Sequence, residues 1–176
     1  MGQDKALLPW RGTTLLEHAT SRLRAVCAEV RILCGPEPRY LGHGLEVVLD
    51  RARDAGPLAG LAAALESCGE AGALLLAVDL PGVPVDLLAE LMRLAPEQDV
   101  VVPVTSDGPQ PLCACYGPGC RGALQSSLTA GAHRMTGFWA GLRVRQLEDA
   151  ELRRFGDPRR LFLNVNTPQD YAALPD

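Results

Sequence analysis

Apolar residues occur along this chain in two alternating patterns, short continuous runs and longer stretches with helical spacing. Residues 73–78 are apolar throughout, which is typical of a strand covered on both faces in a parallel sheet. Residues 14–27 instead have apolar positions three and four apart, and they begin with the Thr14 and Glu17 spacing of a capping box. The first pattern predicts strands and the second predicts helices.

The same two patterns predict the remaining elements. Predicted strands cover residues 29–34, 45–49, 73–78, 100–104, 112–116, 142–146 and 161–163. Predicted helices cover residues 14–27, 56–68, 85–94, 118–129 and 148–154, and a last helix follows Thr167 and Pro168. This alternation predicts one α/β domain over residues 1–176, with a Rossmann-like, doubly wound, mainly parallel sheet in a three-layer arrangement.

Composition and charge narrow the functional classes. The formal net charge of -4 gives no general attraction to nucleic acid or to an anionic membrane. No apolar run approaches the roughly 20 residues of a membrane helix, and no basic and apolar leader begins the chain. We therefore expect a cytoplasmic protein that binds neither nucleic acid nor membranes.

Three of the six cysteines, Cys113, Cys115 and Cys120, form a C-x-C-x4-C pattern. This spacing fits no common zinc site, and His133 is the nearest candidate for a fourth ligand. The alternative, which we favour, is that Cys113 and Cys115 share one face of a strand and are buried as small apolar side chains.

Two aspartates end predicted strands, where ligands of such sheets bind. Asp79 follows the apolar run directly and is a candidate ligand of Mg2+ beside a nucleotide phosphate; the alternative is a helix cap, for which it lies several residues too early. Asp50 either contacts a base or sugar, or pairs with Arg51 or Arg53.

Phosphate contacts are expected near both ends of the chain. Gly2 allows close approach of the backbone to a phosphate, and Lys5 is suited to neutralising one, although a lysine so placed is often solvated surface. Asn164 and Asn166 point the same way in an extended segment, where they either steady a phosphate or metal-bound water or form a turn. Together these groups indicate phosphoryl or nucleotidyl transfer.

Five segments of the chain resemble those of the molybdenum cofactor guanylyltransferases. They are residues 1–8, 56–61, 75–81, 110–112 and 162–168, so the resemblance covers the whole chain. The Asn-Val-Asn-Thr-Pro segment at 164–168 is the most discriminating, since related cytidylyltransferases and sugar nucleotidyltransferases usually differ there. The resemblance implies the nucleotide-diphospho-sugar transferase type of fold.

The resemblance implies Mg2+-dependent transfer of GMP from GTP to molybdopterin carrying molybdenum, giving the guanine dinucleotide cofactor and pyrophosphate. Lys5 would bind the phosphates of GTP, Asp79 would bind Mg2+ and GTP, and Asp50 would contact the guanosine. Asn164 and Asn166 would lie beside the reaction centre on the pterin side. Molybdoenzymes or their chaperones would be partner proteins.

The chain departs from the family pattern at two places. Cys34 stands where the family often has an asparagine that contacts the nucleotide, and a thiol cannot reproduce the donor and acceptor pair of an amide. The chain also starts at the methionine of a signature that reads approximately Leu-Ala-Gly-Gly, a few residues, Arg-Met-Gly, then Asp-Lys. The earlier part supplies the first, central strand of the family, so we expect either a truncated chain or a fold with a gap and weak GTP binding.

Two other functions remain open at this point. One is a cytidylyltransferase that acts on the same pterin, and nucleotide preference distinguishes it from the first hypothesis. The other is a non-catalytic relative that binds a pterin or a partner protein. The missing glycine loop favours the non-catalytic relative for the chain as written, whereas the presence of Lys5, Asp79, Asn164 and Asn166 favours retained chemistry, at least in a full-length parent.

Overall fold

The secondary structure alternates between strands and helices over residues 4–50, 56–131, 134–165 and 170, which the computed structural model describes. The strands are β1 (Pro9–Trp10), β2 (Thr13–Thr14), β3 (Arg31–Leu33), β4 (Glu46–Val48), β5 (Ala73–Leu76), β6 (Val100–Thr105), β7 (Gly108–Pro109), β8 (Cys113–Tyr116) and β9 (Val144–Leu147). The α-helices are α1 (Leu15–Arg24), α2 (Pro57–Ser67), α3 (Val85–Leu94), α4 (Cys120–Thr129), α5 (Asp149–Leu152) and α6 (Pro158–Leu161). Short 3-10 helices lie at Lys5–Leu7, Leu41–His43 and Ala95–Glu97. None of the helices in these ranges is long and apolar enough to cross a membrane.

Five strands form the larger sheet. β8 lies between β5 and β6 and runs antiparallel to both, β9 pairs with β6 in parallel, and β7 pairs with β6 as a hairpin. Because β5 and β6 both oppose β8, they run in the same direction, and β9 shares it. β8 and the short β7 are reversed, so among the described residues three strand pairings of the larger sheet are antiparallel and that of β6 with β9 is parallel.

Side chains of the larger sheet alternate between two helical layers. Val101, Cys113 and Cys115 face α3 and α5, while Val100 and Tyr116 face α2 and α4. Each of these side chains is almost fully buried, and burial of one such group stabilises the fold by about 1.5–3 kcal/mol. The predicted three-layer arrangement is confirmed, as is the prediction that Cys113 and Cys115 share one buried face.

A smaller sheet contains β3 and β4, which pair in parallel with Ile32 opposite Val47. Its core is also small: Ala6, Leu16, Ile32 and Cys34 are buried together, and partly buried side chains of neighbouring strands and loops pack around them. The smaller sheet is thus joined to the segment at residues 4–8 and to helix α1.

A slot separates the two sheets, between β3 and β5. Within the described residues each of these strands pairs on one edge only, β3 with β4 and β5 with β8. The slot is a cavity of about 450 Å3, and its walls are mainly the apolar side chains of α1, β3 and β5. This opening lies in the middle of the strand layer.

The predicted strand at 161–163 is wrong, because this region contains helix α6 instead. Asp157 caps the helix by accepting a hydrogen bond from the Arg159 backbone N–H at 3.0 Å, and Pro158 occupies the first turn. An aspartate followed by proline is a standard helix start. The apolar Leu161 and Phe162 that suggested a strand are the buried side of this short helix and its end.

The structure also adds a hairpin before the first helix and adjusts element bounds. Arg11 and Gly12 have positive φ angles of 44° and 80°, and these form the tight turn between β1 and β2. The capping box of Thr14 and Glu17 is present as predicted. β7 lies between the predicted strands at 100–104 and 112–116. The predicted last helix lies outside the described residues except for Asp170.

Candidate functional site

The carboxyl ends of β3, β4 and β5 meet at one end of the slot. Cys34 follows β3, and it packs in the same cluster as Leu49 and Val78, which come after β4 and β5. Gly35, Asp50 and Asp79 line the slot, and the Asp50 backbone N–H donates to the Gly35 carbonyl at 3.2 Å. The two sequence-predicted aspartates are therefore brought to the same end of this cavity.

Asp79 presents a carboxylate that no other described residue engages. Helix α3 has Pro84 at its N-cap position, so Asp79 is not a cap, which removes that alternative. Its backbone carbonyl accepts a hydrogen bond from the Val165 N–H at 2.9 Å, and no side-chain hydrogen bond or ion pair reaches its carboxylate within the described residues. Both oxygens are thus available to a cation or a ligand.

Asn164 lies beside Asp79 because its neighbour is anchored there. Val165 is 1% exposed and packs with Trp10 and Leu15, while its N–H holds the Asp79 carbonyl. Asn164 itself is exposed, so its amide is accessible next to the end of β5. Asn166 lies outside the described residues, and its predicted role stays a prediction.

Lys5 begins a 3-10 helix that is fixed over the smaller sheet. Ala6 is buried against Ile32 in the core of that sheet. Asp4 caps the turn by accepting from the Ala6 N–H at 3.1 Å, and it also accepts a hydrogen bond from the Tyr40 hydroxyl at 2.7 Å. Burial and this bond raise the pKa of Tyr40 to about 12. Gly2 lies outside the described residues.

Asp4 and Tyr40 were not predicted as site residues. An aspartate before a short helical turn is an N-cap signal that the sequence contains. Tyr40 gives no such signal in the sequence, because it reaches Asp4 only where the chain folds back after β3. Its own φ there is positive, at 64°. These two residues hold the Lys5 segment at the carboxyl ends of the strands.

The Cys34 thiol faces the core rather than the slot. It is 6% exposed, and its S–H donates to the Glu37 carbonyl at 3.2 Å. The Arg39 guanidinium donates to the Cys34 carbonyl at 3.0 Å. Gly35 is the residue here that lines the slot. The predicted nucleotide contact of Cys34 therefore stays a prediction, and the geometry favours the adjacent backbone over the thiol.

The remaining cysteines are also buried or half-buried, and all six are free. Burial raises the pKa of Cys115 and of Cys120 to about 12, which keeps both thiols protonated near neutral pH. No group of three His, Cys, Asp or Glu side chains that could hold a metal ion occurs in the part of the chain that the structure describes. His133 lies outside that part.

A second opening, which we call the groove, reaches Asn164. It consists of two adjoining cavities of about 330 and 490 Å3. They share Ser106, Asp107, Arg159 and Phe162, and the larger one reaches Asn164. Asp79 lines the slot and Asn164 lines the groove, and the hydrogen bond from Val165 to the Asp79 carbonyl brings the two openings next to each other.

Comparison with known proteins identifies the family of this chain. The family model of the MobA-like NTP transferase domain matches residues 1–148. A probable molybdenum cofactor guanylyltransferase of Pelotomaculum thermopropionicum is 37% identical over 170 residues, which are 97% of this chain and 83% of the relative. The molybdenum cofactor guanylyltransferase of Xanthomonas euvesicatoria is 36% identical over 177 residues, which are 99% of this chain and 87% of the relative.

Solved structures show the same fold. Molybdopterin-guanine dinucleotide biosynthesis protein A from Archaeoglobus fulgidus superposes with a TM-score of 0.81 at 23% identity, covering 98% of this chain and 89% of the other. The 2-C-methyl-D-erythritol 4-phosphate cytidylyltransferase from Thermus thermophilus superposes with a TM-score of 0.71 at 22% identity, covering 96% and 91%. The predicted α/β, nucleotide-diphospho-sugar transferase type of fold is confirmed.

Proposed function

This chain belongs to the family of MobA-like NTP transferase domains, and we propose that it transfers GMP from GTP to molybdopterin carrying molybdenum. The products are molybdopterin guanine dinucleotide and pyrophosphate. Relatives more than a third identical along nearly the whole chain are named as guanylyltransferases of this cofactor. The observation that carries the proposal is the unengaged carboxylate of Asp79, which lines the slot, next to Asn164, which lines the groove.

GTP binds, in this proposal, at the carboxyl end of the slot. Helix α2 starts there with Gly56 and Pro57, which both line the slot, and a helix N-terminus favours the negative charge of phosphates. Lys5 adds a positive charge to the phosphates. Asp50 accepts hydrogen bonds from the guanosine, and its carboxylate lies near Gly60 on the first turns of α2.

Mg2+ is the cofactor in this proposal, and Asp79 holds it. Mg2+ prefers oxygen ligands and is usually bound by one or two carboxylates together with substrate phosphates. Asp79 fits this role because none of the described residues occupies its carboxylate. When bound, the ion supplies neutralisation of the charge that develops on the phosphates.

The reaction joins the terminal phosphate of the pterin to the α-phosphorus of GTP. A phosphate oxygen forms the new O–P bond, and the bond from the α-phosphorus to the bridging oxygen of the β-phosphate breaks, so that pyrophosphate leaves with that electron pair. A phosphate monoester is largely doubly ionised near neutral pH, with a second pKa of about 6. No general base is therefore required, and Asn164 and Asn166 serve to position the phosphate.

We infer the protein partner from the product of the proposed reaction, not from the fold. The cofactor must pass to an enzyme that uses it, so a molybdoenzyme or its chaperone stays the predicted partner.

Calorimetric titration of the chain with GTP, and with CTP as the matched control, both with Mg2+, tests the donor. We expect saturable binding of GTP alone, followed by pyrophosphate release when molybdopterin is added. Preference for CTP would overturn the assignment of the nucleotide. Binding of neither nucleotide would overturn the proposed function for this chain.

A further inference from the structure

Two charged residues of the groove have no role so far. Asp107 lies at the tip of the hairpin between β6 and β7, and Arg159 lies on α6. Both are exposed and both line the two cavities of the groove. Neither side chain has a hydrogen bond or an ion pair with another described residue. Each therefore offers a full charge to a ligand.

The hairpin holds Asp107 in a defined position. The Asp107 N–H donates to the Thr105 hydroxyl at 3.3 Å, and that hydroxyl also accepts from the Gln110 side-chain amide at 3.2 Å. Val104 pairs with Pro109 across the hairpin. Asp107 is consequently presented at the groove by a braced turn rather than by an open loop.

Helix α6 holds Arg159 close to the turn that follows Asp79. A Cβ on Gly82 would lie only 2.4 Å from the Arg160 carbonyl oxygen, so only glycine permits this approach. Leu161 and Phe162 are buried on the other side of the helix. The backbone at Arg159 is thereby held near the end of β5, and Arg159 and Asn164 line the same cavity.

The other carboxylates of the smaller cavity are less suited to a ligand. Asp149 has one buried oxygen, and its other oxygen lies 4.0 Å from Arg153. Asp157 already accepts a hydrogen bond as the cap of α6. Asp107 has both oxygens free of described residues, and can therefore accept two parallel hydrogen bonds from one ligand.

We propose that the groove is the acceptor pocket, in which Asp107 recognises the pterin ring and Arg159 recognises its phosphate. This inference rests on the proposed function. A pterin presents a ring N–H and an amino group side by side, which match the two oxygens of a carboxylate. A phosphate matches the fork of a guanidinium. The phosphate then lies in the larger cavity beside Asn164, and the ring extends into the smaller one.

Titration of pterin fluorescence tests this assignment with two stable probes, 6-hydroxymethylpterin and its monophosphate. The wild-type chain should bind the monophosphate more tightly. Asp107→Asn should weaken binding of both probes by about tenfold to a hundredfold, the range for loss of hydrogen bonds to a charged group. Arg159→Gln should weaken only the monophosphate and so remove its advantage.

Arg160→Gln is the matched control, since Arg160 is the next residue of the same helix, is exposed, and does not line the groove. All variants should keep the wild-type affinity for GTP with Mg2+. Unchanged pterin binding in Asp107→Asn and Arg159→Gln, or no pterin binding by the wild type, would overturn the groove assignment even if GTP binds. Loss of GTP binding from the wild type, with the pterin effects intact, would overturn the proposed function instead.

Discussion

The two sheets of this molecule differ in how completely their strands are enclosed. The larger sheet is covered on both faces, and its buried side chains form two extensive clusters with α2, α3 and α4. The smaller sheet has two strands, a small cluster around Ile32, and one edge that faces the slot. Yet both sheets contribute to one site, through Asp50 on one side and Asp79 on the other. We infer that the larger sheet dominates stability, while the smaller sheet mainly determines nucleotide binding.

The largest effect should come from the residue where the two sheets meet. Asp79→Asn keeps the shape but removes the charge that binds the metal and phosphates, so nucleotidyl transfer should fall by about a thousandfold or more. Pyrophosphate release measures this, and the unfolding midpoint should be unchanged. Asp86→Asn, an exposed position in the first turn of α3, is the control. Turnover near the wild-type rate in Asp79→Asn would exclude Asp79 from the reaction.

The next contrast compares equal truncations in the two cores. Leu87 is 0% exposed in the larger core, and Leu16 is 5% exposed in the smaller one and also lines the slot. Leu87→Ala should lower the free energy of unfolding by about 3–5 kcal/mol and Leu16→Ala by about 2 kcal/mol, because a side chain beside an opening has fewer contacts to lose. Urea unfolding at one temperature measures both. Equal losses would contradict the proposed difference in stability.

Two tyrosines sharpen the comparison through single hydroxyl groups. The Tyr40 hydroxyl donates a hydrogen bond to the Asp4 carboxylate at 2.7 Å beside the smaller sheet. The Tyr116 hydroxyl donates to the Pro111 carbonyl at 2.8 Å in the larger sheet. Each Tyr→Phe change should cost about 1–2 kcal/mol of stability. Only Tyr40→Phe should also weaken GTP binding, because it releases the segment that contains Lys5. Calorimetry that found the same GTP affinity in both variants would separate Tyr40 from the nucleotide site.

The smallest expected effect is a pH dependence at the contact of α1 with the turn after β5. Burial, and then the charge of Arg22, lower the pKa of His18, whose ring nitrogen lies 3.2 Å from the Pro81 carbonyl oxygen. The unfolded chain therefore binds the proton more readily than the folded chain. The stability that neutral His18 contributes is present above the unfolded pKa of about 6.5, and it is lost as the pH falls below that value. His18→Gln should reduce the drop in melting temperature on acidification relative to the wild type. Identical acid sensitivity in His18→Gln and the wild type would contradict this assignment.

Sequence reasoning worked best where one element determines the position of a residue. The apolar run at 73–78 predicted both a covered strand and the position of Asp79 at its end. The alternation of Cys113 and Cys115 predicted their shared buried face. These inferences need only the period of a strand, and that period is a local property of the chain.

Other features depend on contacts between distant segments and could not be predicted in this way. Asp107 and Arg159 are far apart along the chain, and the groove forms only because α6 packs against Gly82. The Tyr40 contact with Asp4 likewise needs the turn after β3. Helix α6 differs from the predicted strand for a local reason: Leu161 and Phe162 form a short apolar run that is typical of a strand, but the cap at Asp157 and Pro158 starts a helix there.

The slot also has a consequence for how the chain behaves at high concentration. The edges of β3 and β5 that face it present backbone donors and acceptors without partners among the described residues, and the walls around them are apolar. Exposed strand edges of this kind can template pairing with another chain and so promote aggregation. We expect the slot to be the first place where copies of the protein associate. A ligand bound in the slot should therefore improve solubility.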